Sequence, residues 1–399
     1  MKIGIVELSV HGHTLMVESL TKIYVTGRHE IILFIHEKFI EDLKHLTNCT
    51  ISIIPYFPKD QSLNQYFNII KACNLDRIYG VTIEPYTKEV FEISKHFLNL
   101  GESTPIYQVV HHGLLWFTSP MQKFKNVLNA FSSFSNLAYR LKKILYYSRI
   151  FDKLKRQVNN SSGKYIVLSE GIANYALKFI TKRSLQIIPF SIFDESMLSQ
   201  DSDELIDTSD KILICIPGKI SPTRRDYYKI ISMLKNNKSI EFKEKIIWEF
   251  LGGSPPEESG EKIIAEAKEI VKLGYKIIFY EDHYLSMPKF EQRLAKCDII
   301  LDNLILKKDK GYGLTNESGL IFNMIKLAKP GLVSEEYGSL SKDFESSIIR
   351  YDSMNHLYKI LLEMANNPSM IENLKEKALI NSRKYSAASI YHYLEIVNE

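Results

Sequence analysis

The sequence predicts an α/β protein made of two doubly wound domains in tandem. Three observations carry that expectation. Short apolar runs alternate with amphipathic segments from end to end, the pattern of parallel strands joined by right-handed crossover helices. The runs are continuous rather than strictly alternating, as strands covered on both faces require. A polar, acidic stretch from Asp194 to Asp210 separates two series of such runs, and 399 residues exceed the ~250–300 at which one core stops growing.

Lys2–Leu8 (KIGIVEL) reads as the first buried strand, and Gly12–His13–Thr14 opens a helix through Met16, Leu20 and Ile23. Further strands are expected at Glu30–Ile35, Thr50–Ile54, Arg77–Thr82, Ile106–Val110 and Tyr165–Leu168. The second series gives strands at Lys211–Ile216, Ile246–Leu251, Lys276–Tyr280, Asp298–Leu301 and Gly331–Ser334. Helices are expected between them at Glu257–Leu273, Pro288–Cys297 and Ser318–Ala328, followed by a helical tail from Ser353 to Val397 broken around Asn366–Pro368. The resulting division is residues 1–193, a linker at 194–210, a second domain at 211–375 and a closing helical segment at 376–399.

Composition excludes several classes. An apolar fraction of 45% and aromatic fraction of 11% are too high for a disordered chain. A net charge of +4 is too small for a general nucleic-acid coat, so no nucleic-acid partner is expected. Cys49, Cys73, Cys215 and Cys297 form no C-x-x-C pair, which leaves no sequence-local zinc site and points to reduced, mostly buried thiols in a cytoplasmic protein. Glu7 interrupts the N-terminal apolar run before a secretory signal could form. The longest uncharged run, Ser103–Gln122, contains two prolines, a glycine and two histidines and makes a poor membrane span.

Ligands of open α/β sheets bind beyond the carboxyl ends of strands, which selects the residues to examine. After the first strand, Gly12 permits a tight turn and His13 stands at a helix start. His13 is either a general base near neutral pH or a histidine bonded to nearby backbone. His111–His112–Gly113 follow the strand Ile106–Val110; adjacent histidines point to opposite sides, so one of the two reaches the ligand. Gly218–Lys219 and Arg224–Arg225 follow the first strand of the second series, with a helix start expected at Thr223. A glycine, three cations and a helix end suit a diphosphate; the alternative is a solvated basic loop. The loop is not a P-loop, and no strand leads into G-x-G-x-x-G. Glu281–Asp282–His283 could meet a nucleobase or ribose, or simply cap an acidic turn. In Gly311–Gly319, glycines including Gly313 allow close approach to a ligand, Thr315 or Asn316 can cap the following helix, and Glu317 offers two oxygens to ribose hydroxyls.

The ordered set KIGIVEL…HGHT, VVHHG, YIVLSEGIANYA, IPGK…TRR and GYGLTNESG…LAKPG resembles the GT-B glycosyltransferases, over nearly the whole chain. That resemblance implies two Rossmann-like domains facing a cleft. It implies a nucleotide-diphosphate sugar in the C-terminal domain, held by Gly218, Lys219, Arg224, Arg225, Gly313, Thr315, Asn316, Ser318 and Gly319. Glu317 would hold the ribose and Glu281 and His283 would lie by the base. It places the acceptor at Gly12, His111 and Gly113, with His13 and His112 as catalytic residues and the last helix crossing back to the first domain. It implies no cofactor and no essential metal. Retaining members often carry two glutamates separated by seven residues; here the residue eight before Glu317 is Asp309, and inverting versus retaining chemistry stays open. The implied activity is sugar transfer to a saccharide or lipid-linked oligosaccharide in cell-surface polysaccharide synthesis. A sugar-nucleotide epimerase and a non-catalytic nucleotide-sugar-binding protein are the alternatives.

Residues 114–157 carry nine cations against one acid, Asp152, with apolar residues near helical period. Such a segment suits an anionic membrane surface, hence a cytoplasmic protein peripheral to the inner membrane; the alternative is an apolar stripe packed on its own domain.

Overall fold

The structure, a computed structural model, describes residues 1–10, 12–83, 88–100, 104–111, 113, 117, 152–158, 162–198, 211–237, 239–254, 259–281, 283, 285–306, 311–338 and 340–398. The chain divides into two compact units. One comprises Met1–Ser191, Leu314–Glu317 and Ala387–Glu399, the other Ile192–Gly313 and Ser318–Ser386.

The first unit holds seven parallel strands: β1 Lys2–Glu7, β2 Glu30–His36, β3 Ile51–Tyr56, β4 Arg77–Gly80, β5 Ile106–Val110, β6 Lys164–Val167 and β7 Leu185–Ile187. Their order is β3-β2-β1-β4-β5-β6-β7. The inner strands are buried on both faces, which is why they read as unbroken apolar runs. β3 is an edge strand and accommodates Pro55, whose missing N–H would break a central ladder. β4 ends at Gly80, two residues before its expected end. β7 was not expected: its three residues, LQI, are split by Gln186 and lie between the basic turn at Lys182–Ser184 and Pro189. Helix α1 (Thr14–Thr26) buries Met16, Val17, Leu20 and Ile23 and packs against α11 (Ala387–Asn398).

The second unit holds six parallel strands: β8 Ile212–Pro217, β9 Ile246–Leu251, β10 Lys276–Phe279, β11 Ile299–Leu301, β12 Gly331–Ser334 and β13 Ile348–Tyr351, in the order β10-β9-β8-β11-β12-β13. Its core gathers Ile214, Ile216, Trp248, Phe250, Ile263 and Leu361. β13 was also unexpected, lying between two short polar segments. Helix α6 (Gly260–Lys272) and helix α7 (Met287–Lys296) flank β10. α7 brings Arg293 onto Glu249, the one carboxylate in β9, with bonds of 2.8 and 3.0 Å; Tyr280 donates to the same carboxylate at 2.5 Å. The helical tail is broken twice rather than once, into α9 (Met354–Asn366), α10 (Pro368–Arg383) and α11. At the second break, Lys384–Ser386, the Tyr385 carbonyl accepts from the Phe193 N–H at 3.0 Å.

Both sheets reverse their strand order once, between β1 and β4 and between β8 and β11. The four cysteines are free; Cys215 and Cys297 are buried, whereas Cys49 is exposed. No helix among the described residues is long and apolar enough to cross a membrane. Of the basic segment 114–157, residues 114–116 and 118–151 lie outside the described residues.

Candidate functional site

In the first unit the reversal point is built around a buried carboxylate. Glu7 ends β1 and is 0% exposed. Its Oε1 accepts from the Ser9 N–H at 3.2 Å, and its Oε2 accepts from the His13 N–H at 3.0 Å and the Thr82 hydroxyl at 2.6 Å. Burial pushes the carboxyl up from its ordinary 4.5 to about 7; the three hydrogen bonds oppose that shift and Glu89 adds to it. Thr82 lies just past β4, so the hydrogen bond closes the gap between the two strands at the reversal.

His13 is the residue before α1, with φ −112° and ψ 79°, and its side chain does not cap the helix. Its ring lies 4.3 Å from that of His111, centroid to centroid, and edge-on to Phe190 at 5.1 Å. His111 Nε2 donates to the Val81 carbonyl at 2.9 Å, so that nitrogen carries the proton. The structure therefore brings together His13, Gly12 and His111, three of the expected residues, from the ends of β1 and β5. His112 lies outside the described residues. Gly113 donates its N–H to the Thr315 carbonyl at 2.6 Å, both residues belonging to this unit. Glu7, Thr82 and Phe190 were not anticipated; a carboxylate directly following the apolar run IGIV was the available signal for the first of them.

The second unit places Gly218 directly after β8 with φ +106°, a backbone that only glycine adopts without strain. The Arg225 guanidinium lies across it, 2.6 Å from where a Cβ would stand. Arg225 Nη1 donates to Asn303 Oδ1 at 3.4 Å, and the Asp226 N–H donates to the Asn303 carbonyl at 2.8 Å. The Ile305 N–H donates to the Arg224 carbonyl at 3.0 Å. These bonds tie the loop after β8 to the loop after β11, and they hold residues 222–226 in a turn. Helix α5 (Tyr227–Asn236) consequently begins four residues later than the expected Thr223. Lys219 and Arg224 are exposed and Arg225 half-buried.

Asp302 and Asn303, buried at the end of β11, carry an Oδ2 and an Nδ2 without a partner. Burial pushes the Asp302 carboxyl up from 3.8 to about 6, against the Leu304 N–H and the nearby Arg225 charge. Two open, buried polar atoms beside a cation form a patch that a polar ligand would satisfy. Nothing in the sequence singled them out.

Helix α8 (Gly319–Leu327) is capped by Ser318, whose Oγ accepts from the Leu320 N–H at 3.2 Å, and not by Thr315 or Asn316. The Ser318 N–H in turn donates to the Tyr337 hydroxyl at 3.2 Å. A side chain on Gly319 would meet nothing within 4 Å, so the first turn of α8 opens onto free space. Because β11 and β12 are parallel, α8 must start at the carboxyl edge of the sheet, the edge that also carries Gly218, Arg225, Asp302 and Asn303. Gly313 has φ +73° and packs on Gly338. Thr315, Asn316 and Glu317 group with the first unit and Ser318 and Gly319 with the second. Glu281 is exposed and paired with Lys268 at 2.6 Å, and His283 Nδ1 donates to the Ser254 carbonyl at 3.0 Å. Asp282 lies outside the described residues. Among the described residues no three His, Cys, Asp or Glu side chains cluster as a metal site would need.

No family model and no curated sequence matches the chain. Solved structures do. A sucrose-phosphate synthase from Thermosynechococcus elongatus superposes with a TM-score of 0.61 at 13% identity, over 100% of this chain and 98% of that one. Anabaena Alr3699/HepE, solved in complex with UDP-glucose, gives 0.58 at 12% identity over 99% and 98%. WaaG, a glycosyltransferase involved in lipopolysaccharide biosynthesis, gives 0.56 at 12% identity over 100% and 99%. Likeness at this level of identity establishes architecture, and together with the two parallel sheets it gives the chain the GT-B fold, two Rossmann-like domains in series.

Proposed function

We propose that the chain is a glycosyltransferase that moves a sugar from a nucleotide-diphosphate donor to a saccharide or lipid-linked oligosaccharide, in cell-surface polysaccharide synthesis. The observation that carries this reading is the reversal point of the second sheet. There Gly218 at φ +106° lies under the Arg225 guanidinium, beside the open polar atoms of Asp302 and Asn303. A diphosphate offers oxygens to the Arg225 guanidinium and to the open Asn303 Nδ2, and this reversal point is where α/β sheets bind ligands. The UDP-glucose bound to HepE supports the donor class, and the WaaG likeness supports the surface-polysaccharide role.

In this reading Lys219, Arg224 and Arg225 neutralise the diphosphate, and the first turn of α8 at Ser318–Gly319 adds N–H groups and the positive helix end. Thr315 and Asn316 complete the donor site, Glu317 takes the ribose hydroxyls and His283 lies by the base. His13 removes the proton of the acceptor hydroxyl as its oxygen attacks the anomeric carbon, and the bond from that carbon to the diphosphate oxygen breaks. Charge leaving on the nucleotide is met by the cations, so no metal is required. The protein works on the cytoplasmic side, with residues 114–157 drawing it to anionic lipid.

Thermal-shift titration with UDP-, GDP-, ADP- and CDP-sugars tests the donor. One nucleobase class should raise Tm, by about 2.7 kcal/mol of added stability at a hundredfold excess over Kd. No shift with any nucleoside diphosphate removes the reading. Isomerisation of the donor without acceptor would make the chain an epimerase instead.

A further inference from the structure

β1 ends on a carboxylate that folding would ordinarily discard. The four residues before it in the strand, IGIV, are apolar and buried, and the carboxyl is wholly buried. Its hydrogen-bond partners are two backbone N–H groups and a hydroxyl, and no lysine or arginine is among them. Burying such a group is costly unless it organises something. What it organises is the turn that carries His13. The turn from Ser9 to His13 wraps the carboxyl so closely that a Cβ on Gly12 would stand 2.5 Å from the Glu7 carboxyl carbon. The outer side of the turn is held too. The Val10 N–H donates to Glu89 at 2.8 Å, and the Val10 carbonyl accepts from Lys38 Nζ at 3.1 Å.

We propose that Glu7 is the positioning residue of His13: its carboxyl fixes the backbone on which the imidazole stands. The proposal rests on the reading of His13 as the base. Among the described residues, the charged and titratable groups facing the turn are Glu89 on helix α3 (Lys88–Phe97), Lys38 after β2, and His111 at the end of β5. The uncharged ones are the Thr82 hydroxyl and the Phe190 ring. A glutamine at position 7 keeps the volume but turns one acceptor into a donor. It can no longer receive both the Ser9 N–H and the pair from His13 and Thr82, so the turn loosens.

The test follows the His13 imidazole by NMR titration of the full chain labelled at histidine, with His29 as the internal control. In Glu7→Gln the His13 ring signals should shift or broaden as the turn loosens, while those of His29 stay put. Turnover should drop by about tenfold or more with donor KM unchanged within about twofold. Gly12→Ala should reproduce the loss, and combining it with Glu7→Ala, which vacates the space, should cost no more than Glu7→Ala alone. Unchanged His13 ring signals in Glu7→Gln, or additive losses in the Gly12 pair, overturn the proposal even where His13→Ala abolishes transfer. Near-normal turnover in His13→Ala instead removes the base assignment and leaves the NMR result to judge Glu7 by itself.

Discussion

The imidazole rings of His13 and His111 stand 4.3 Å apart and are inclined at 38° to each other, although ninety-eight residues separate them in the chain. They meet because β1 and β5 point the same way and release their chains at the same edge of the sheet. His13→Ala should reduce transfer roughly 10²–10⁴-fold, the usual contribution of a general base, and leave donor affinity intact. His111→Ala should reduce it less. Release of nucleoside diphosphate with and without acceptor measures both.

Donor affinity should depend on Arg225 and on the glycine beneath it. Arg225→Ala should weaken nucleoside diphosphate binding by about 1.5–3 kcal/mol, the range for a hydrogen bond to a charged group. Gly218→Ala should weaken it too, since a Cβ there meets the guanidinium and the φ of +106° costs an alanine about 1–3 kcal/mol. Calorimetric titration with the nucleotide that wins the thermal screen checks both. Unchanged affinity in the pair would take the donor site away from this loop.

Stability should hinge on Glu249 and Arg293, which are 0% and 3% exposed in the side chain. Arg293→Met leaves a carboxylate buried with Tyr280 alone for company and should cost about 3–5 kcal/mol. Replacing both residues, Glu249→Leu with Arg293→Met, should cost less than the single change. Chemical denaturation of the three variants decides it.

Stability should also fall as pH rises through the weakly acidic range. The Glu7 carboxyl holds its proton to about 7 in the fold, against an ordinary 4.5. Between those values the unfolded chain has released the proton and the folded chain still binds it, so each step up in pH favours unfolding. The loss should reach about 3 kcal/mol and level off above pH 7. Asp302, raised from 3.8 to about 6, acts with the same sign at the lower end of that window. Urea denaturation at pH 5 and pH 8 should show the slope, and Glu7→Gln should flatten its upper part.

Much of the architecture was legible because buried parallel strands announce themselves as apolar runs. β9 and β12 fall on their expected residues, and most other strands shift by one or two. The edge strands β7 and β13 were not legible, because a polar residue interrupts each short run, Gln186 in LQI and Arg350 in IIRY. Helix starts failed where tertiary bonds decide them. Thr223 looked like a cap, but the β11 loop holds Arg224 and Asp226 and delays the helix to Tyr227. At the candidate site, glycines and histidines after strands were visible, since their chemistry is local. Asp302, Asn303 and Thr82 were not, because a polar side chain acquires its role only from what the fold packs around it.

The closing helix α11 belongs by its packing to the first unit, where it lies against α1 and Tyr391 meets His29 Nε2 at 3.1 Å. The gene's two halves are therefore not the protein's two halves. An expression fragment that stops at Ser191 would encode a first unit with one flank of α1 stripped to water. Excising residues 192–386 and splicing Ser191 to Ala387 through a short linker is the cut that keeps that flank covered.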